Sequence, residues 1–378
     1  MRVSFARRSI SAVLLFAGVA FTLQAAAAPT PKEALLVLSK RNHTLSIVDP
    51  ATLQVVASAP VGQDPHEVIA SADGRTAWVS IYGGGAFHEL SVIDLIAQRA
   101  RPAIDLGALS GPHGLTFVAG KLWFTAEGAK VIGSYDPLKG KVDWVMGTGQ
   151  NRTHMIFVTP DQKHIYTTNV ASGTVSILEE SMTSQMGPPP GMGGPGTNSQ
   201  GGLPPGAGGP GGQGGPGGPP PGFGGPPRPS WDQTVIPVGH GDEGFDVTPD
   251  SRELWTANAQ DGTISVIDLA SKTVTATLPA DVRGANRLKF TPDGKLALVS
   301  MLGGGSLTVL DVATRAVVKR VDIGHGAAGI LMQPDGARAY VACGPDNYVA
   351  VIDLKTLEVV GHIDAGGEPD GLAWAVQP

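Results

Sequence analysis

The chain has 378 residues, with 27 Lys and Arg against 33 Asp and Glu, for a formal net charge of −6. An acidic chain with no basic run argues against nucleic-acid binding, whose affinity comes from neutralising phosphates with clustered cations. Cys343 is the single cysteine, which rules out an intrachain disulfide and a Cys-x-x-Cys-His attachment for covalent haem.

Arg2, Arg7 and Arg8 precede an apolar stretch from Ile10 to Leu23, which runs into Ala25-Ala26-Ala27-Ala28. A basic start, a short apolar core and a small-residue end predict a cleaved secretory signal over 1–27, and hence a periplasmic or secreted protein. The apolar core is short for a bilayer span of about 20 residues, so no transmembrane segment is expected after cleavage. The mature chain loses three arginines and no acid, which takes −6 to −9.

From residue 34 onward one unit repeats. Seven acidic residues close equivalent apolar runs: Asp49, Asp94, Asp136, Glu179, Asp268, Asp311 and Asp353, at spacings of 45, 42, 43, 89, 43 and 42 residues. The 89 is one period interrupted by extra sequence. Each unit carries four short runs rich in β-branched residues and bounded by Gly, Pro, Asp or Asn. In one unit these are Gly244–Val247, Leu254–Ala257, Thr263–Ile267 and Thr273–Leu278. Four short alternating runs per unit, seven times over, predict an all-β fold, a seven-bladed β-propeller with four antiparallel strands per blade. The first unit lacks a first strand, and the chain ends on an orphan run, Pro369 to Ala375. The C-terminal strand is therefore expected to close the N-terminal blade, with Trp374 partly buried. The propeller is a single domain made of residues 34–180 and 231–375.

The extra sequence spans residues 181–230 and falls between the third and fourth strands of blade 4. Ser181 to Pro227 carries no Lys, Arg, Asp, Glu or His and is dominated by Gly and Pro. Such a composition cannot bury enough apolar surface to offset its ordering entropy, so a disordered insertion is expected. Its Met182, Met186 and Met192 are soft donors for copper, or three methionines placed by chance.

The units resemble the YVTN-type β-propeller repeat. The matching residues are the Pro112-His113-Gly114 start, the Asp293-Gly294 turn, the second strand Ile165-Tyr166-Thr167-Thr168-Asn169, and Ser265-Val266-Ile267-Asp268. The resemblance covers both propeller segments. It implies export, and kinship with quinoprotein amine dehydrogenase-like and lactonase-like seven-bladed propellers.

In a propeller the first strand of each blade lines the axis. Counting back from the turn Asp gives the residue that starts each inner strand: Asp370, His66, His113, His154, Glu243, Asn286 and Ala328. Arg287 follows Asn286. His240 and His325 lie in the loops entering blades 5 and 7, and His43, His88 and Arg152 approach the same face. Three imidazoles flanked by carboxylates suit Zn or Cu, with His66, His113, His154 and Glu243 as ligands. A His at this position can also simply cap the inner strand, as the repeat consensus allows. Neither a Gly-x-Ser-x-Gly elbow nor a phosphate loop is present, and Asp-Gly turns and Gly triplets are read as structural.

The reading placed first is a non-catalytic, monomeric propeller that binds a small molecule, metal or protein loop at its His-rich mouth. The alternative is an enzyme. Gly111–Leu115 with Leu122–Glu127 looks like one blade of a streptogramin-lyase-like or lactonase-like propeller, which would make His113 or His154 a catalytic base and Glu243 a metal ligand.

Overall fold

A computed structural model describes residues 28–183 and 228–378, with Met1. The expected signal (1–27) and most of the expected disordered insertion lie outside the described residues. Seven four-stranded sheets surround one axis. From the axis outward, blade 2 is Pro65–Ala70, Thr76–Ile81, Glu89–Asp94 and Arg99–Asp105. Blade 3 is Pro112–Val118, Lys121–Ala126, Val131–Asp136 and Lys141–Gly147. Blades 4 to 7 repeat the plan, with inner strands Thr153–Val158, Asp242–Val247, Ala285–Phe290 and Ala327–Met332.

Blade 1 is built from both ends of the chain. Its inner strand is Pro369–Val376, paired antiparallel with Glu33–Ser39 in the register Leu35↔Trp374 and Leu36↔Ala373. Closure therefore occurs as the orphan C-terminal run predicts, and Trp374 is half-buried. A closed ring of short sheets leaves little free strand edge, the usual liability of β structure.

The core lies between blades. One cluster joins Leu36, Leu38, Leu45 and Ile47 of blade 1 to Val68, Val79 and Ile93 of blade 2. Another joins Trp255, Val266 and Ile264 of blade 5 to Leu288, Val299 and Leu310 of blade 6. The period-2 pattern of the strands supplies these faces, since each sheet is covered on both sides by its neighbours.

The repeated acids hold turns. Asp94 accepts from the Ile96 and Ala97 N–H groups at 3.1 and 2.9 Å, and Asp353 from Lys355 and Thr356 at 2.9 and 2.8 Å. The residue that follows turns left-handed, as at Gln98 (φ 53°), Lys272 (55°) and Leu357 (55°). Blade 4 has Glu179 instead, one methylene longer. There the strand does not turn but continues, and Thr174–Thr183 pairs with Arg228–Pro237 out to Thr183↔Arg228. The insertion thus starts and ends on paired strand, since Ser181 faces Ser230 and Met182 faces Pro229. Only residues 184–227 lie beyond the hairpin arms.

Candidate functional site

The inner strands crowd at the axis, and their sequence shows how. One position beyond the predicted ring, the residues are Gly371, Glu67, Gly114, Met155, Gly244, Arg287 and Gly329 in blade order. A Cβ on Gly371 would lie 2.3 Å from the His66 carbonyl oxygen, one on Gly114 2.6 Å from that of His154, and one on Gly329 2.2 Å from that of Asp370. Glycine in alternate blades lets the neighbouring backbone pass. Larger side chains stand only in blades 2, 4 and 6.

A belt of hydroxyls from the second strands ties the crowded strands together. Thr125 Oγ1 accepts from Gly114 N–H in its own blade and donates to the His154 carbonyl in the next, at 2.9 and 2.7 Å. Ser300 accepts from Arg287 N–H and donates to the Ala328 carbonyl, at 3.1 and 2.6 Å. Thr168 donates to the Glu243 carbonyl at 3.1 Å. In blades 3, 4 and 6 the Ser or Thr of the second strand is thus a clasp to the next blade, whereas Ser80 bonds only to Glu67 of its own blade.

These constraints bring all seven predicted ring residues to one axial cavity of about 680 Å³. Its two sides differ. His66, His113 and His154 form a row of imidazoles, with ring centroids 4.9 Å and 3.8 Å apart, and Tyr82 stands edge-on to the first two. The opposite side, from blades 6 and 7, offers Ala328, Gly326, Gly344, Pro345 and Leu302.

His113 is buried, and its Nδ1 has no hydrogen-bond partner. Burial, with His154 beside it, holds its pKa well below the usual imidazole range, so it is neutral. His154 is equally buried. Burial opposes its charge, but the carboxylates of Glu127 and Glu243 prevail and raise its pKa. Its Nδ1 contacts Glu127 Oε1, and its Nε2 stands 3.2 Å from Glu243 Oε1, without hydrogen-bond alignment. Tyr82 O–H donates to Glu127 Oε2 at 2.6 Å, and burial with this carboxylate raises the phenol to about 12. Glu243 is drawn to about 2: burial raises it, but the imidazolium of His154 and the guanidinium groups of Arg287 and Arg152 outweigh burial. It also accepts from Asn286 Nδ2 at 3.1 Å.

Asp370 is bridged by Lys40 Nζ at 2.7 Å, and His66 stands between Lys40 and Asp64. Arg287, buried, pairs with Glu67. The two come from blades 6 and 2 and so meet across the axis. His240 and His325 do not line the cavity. They stand exposed on the rim, each beside the Asp of an adjoining loop, Asp261 and Asp346. His88 is likewise exposed and paired with Asp105, and Arg152 lies 3.7 Å from Glu127. Cys343 is buried and donates to the Ile323 carbonyl at 3.3 Å, with its thiol pushed to about 12 by burial.

For a metal, the relevant fact is where the nitrogens point. Both ring nitrogens of His154 face carboxylates, and those of His66 face Asp64 and Lys40. Among the described residues no group of three or more His, Cys, Asp or Glu side chains is arranged to hold a metal ion. The expected set of His66, His113, His154 and Glu243 shares the cavity but does not converge on a point.

Sequence reasoning missed Lys40, Tyr82 and Glu127. All three occupy the position directly after the second strand, which reads Lys40, Tyr82, Glu127, Val170, Ala259, Leu302 and Gly344 around the ring. This second ring is polar in blades 1 to 3 and small or apolar beyond, whereas the first is polar in every blade but the seventh. Reading the repeat at that register would have found it.

Residues 226–338 match the model of the YNCE-like beta-propeller family. No curated protein sequence matches the chain. Among solved structures, a functionally unknown protein from Desulfotomaculum acetoxidans superposes with a TM-score of 0.65 at 13% identity, over 91% of this chain and 99% of that one. A 6-phosphogluconolactonase candidate from Bacteroides uniformis gives 0.66 at 14%, over 91% and 100%. The hydrazine synthase of Kuenenia stuttgartiensis gives 0.59 at 15%, over 82% and 89%. Identities this low show a shared fold, and a fold that hosts many functions does not name one. Among the described residues no helix is long and apolar enough to cross a membrane.

Proposed function

Starting from a chain that is a YVTN-like seven-bladed β-propeller, we propose that it is an exported recognition protein that holds a small polar molecule in its axial cavity. The observation that carries this reading is a cavity of about 680 Å³ whose lining residues include two with buried polar atoms that lack partners, His113 Nδ1 and Asn286 Oδ1. Buried polar atoms are nearly always satisfied, so unsatisfied ones beside a cavity favour a ligand or ordered water that completes them. Cations and carboxylates are nearly balanced around it, which favours a neutral or zwitterionic molecule over a highly charged one.

The test is to purify the full chain from the periplasm of an expression host, extract it, and identify bound small molecules by mass spectrometry. Enriched compounds are then added back in calorimetry. A compound that binds the natural protein and fails to bind a His113→Ala, Asn286→Ala variant supports the reading. Absence of any enriched compound, together with no melting shift across a polar metabolite library or with added Zn or Cu, overturns it. Intact mass of the same material reports whether residues 1–27 have been removed.

One observation favours a second reading, metal-free acid–base chemistry. Burial holds the His113 pKa well below the usual imidazole range and leaves its Nδ1 free to accept a proton, while Glu127 and Glu243 shift His154 beside it toward its protonated form. Turnover of a lactone or ester that His113→Ala abolishes would favour this over pure recognition.

A further inference from the structure

Three of the six tryptophans meet far from the mouth, on the flank between blades 3 and 4. Trp123 and Trp144 come from the second and outer strands of blade 3, and Trp231 from the outer strand of blade 4. Their rings follow one another at 5.5 Å and 5.4 Å, inclined by 61° and 54°. With Asp143, Glu180 and Pro229 they line a groove of about 500 Å³. Trp123 is 4% exposed, and its indole N–H has no partner. Trp144 and Trp231 remain half-buried, with free ring surface.

A row of tryptophans with an unsatisfied indole donor is the chemistry that recognises a polyproline II segment. Such a segment has no internal hydrogen bonds, so its carbonyls are free to accept, and its pyrrolidine rings pack flat against indoles. The groove also lies where such a segment begins. Pro229 lines it and ends the run Pro226-Pro227-Arg228-Pro229, and Trp231 is two residues further on. Upstream the same tract carries Pro219-Pro220-Pro221, Pro204-Pro205 and Pro188-Pro189-Pro190.

We propose that the Trp123–Trp144–Trp231 groove is a docking site for the chain's own proline-rich tract, residues 184–227. The tract leaves the hairpin at Thr183 and rejoins it at Arg228, so both ends are tied beside the groove. Tethering gives an effective concentration of about millimolar, so modest intrinsic affinity is enough for docking. From Pro221 to Pro227 a polyproline II segment, at about 3.1 Å per residue, reaches about 19 Å, more than the roughly 14 Å across a four-stranded blade. The site is independent of the axial cavity and of any ligand there.

The full chain tests this with a protease that cuts after Phe, for which the tract offers Phe223, since Leu203 is shielded by the following Pro204. The expected result is cleavage at Phe223 at least about fivefold slower in the natural protein than in Trp144→Ala, at equal protein concentration. Because Trp144→Ala can loosen the fold, a second variant changes only the tract, with Pro219, Pro220, Pro221, Pro226 and Pro227 all made Ser. It should be cut as fast as Trp144→Ala while melting like the natural protein. Equal rates in the natural protein and the serine variant would overturn the proposal. Protection that grows with protein concentration would also overturn it, since the occupant would then be a second copy's tract.

Discussion

Glu67 and Arg287 show how a single position acquires a role. With Met155 they are the bulky residues in a ring otherwise relieved by glycine, and the two meet across the axis as a largely buried pair. Removing one member of such a pair leaves a desolvated charge and costs about 3–5 kcal/mol, whereas replacing both by apolar groups is often neutral. Glu67→Ala should therefore lower unfolding stability by about 3 kcal/mol in denaturant titration. The double change Glu67→Met, Arg287→Met should recover most of that loss, and equal loss in both variants would refute the pairing. Protonation is the other residue-scale lever. Asp242, buried with Oδ1 unpaired, has a pKa raised by burial to about 7. The native state then binds more protons than the unfolded chain between about pH 4 and 7, so this group removes stability as pH rises through that window. His154, raised, contributes stability that is full below its unfolded value near 6.5 and is lost above its folded one. Glu243 and Asp64, both drawn to about 2, contribute stability above pH 4 that is lost as pH falls toward 2. Asp64 owes its shift first to the His66 hydrogen bond. His113, held well below the usual imidazole range, adds stability as pH rises to about 6.5 and offsets part of this loss, but Asp242→Asn should still shrink whatever decline in melting temperature the natural protein shows between pH 5 and 7. An unchanged decline in that variant would show that Asp242 is not its source.

At the scale of strands and turns, the blade boundaries and the seven inner-ring residues could be read from sequence because the repeat fixes register, and register fixes which side chains face the axis. What could not be read was pairing across blades. Glu127 belongs to blade 3, but its partners Tyr82 and His154 come from blades 2 and 4, and no spacing within one unit encodes such contacts. The same holds for the rim. His240 and His325 share the mouth face in topology, but Asp261 and Asp346 keep them beside their loops. Composition changes at about residues 181 and 230, but strand pairing, which composition does not mark, persists to Thr183↔Arg228. Insertion at a hairpin tip is tolerated because closure entropy grows slowly with length. Replacing residues 184–227 by a Gly-Asn turn should shift the melting temperature by less than about 4 °C, the effect of about 1–2 kcal/mol in a domain of this size. A larger fall in differential scanning calorimetry would mean that the tract stabilises the ring itself.

The whole molecule depends on one joint that no repeat supplies. Six blades are each continuous in sequence, but blade 1 exists only if Pro369–Val376 reaches Glu33–Ser39. That strand buries Leu372, Ala373 and Ala375 and half-buries Trp374. A fully buried Leu alone contributes roughly 1.5–3 kcal/mol, and the ladder from Glu33↔Val376 to Ser39↔Pro369 loses its partner if the strand is removed. The strand also delivers Asp370 to the cavity and holds Lys40 by a 2.7 Å bridge, so closure and the ligand site share one element. Truncation at Glu368 should thus abolish cooperative unfolding rather than shift it, because the ring opens and both faces of its seam meet water. Supplying residues 369–378 as a synthetic peptide should restore a cooperative melt in a concentration-dependent way. The Asp370→Ala peptide should restore the melt nearly as well but leave Lys40 without its partner and weaken any ligand found in the cavity. If truncation merely lowers the melting temperature with cooperativity intact, the ring is held by its inter-blade cores and the hydroxyl belt, and the closing strand is a contributor rather than the joint on which the fold depends.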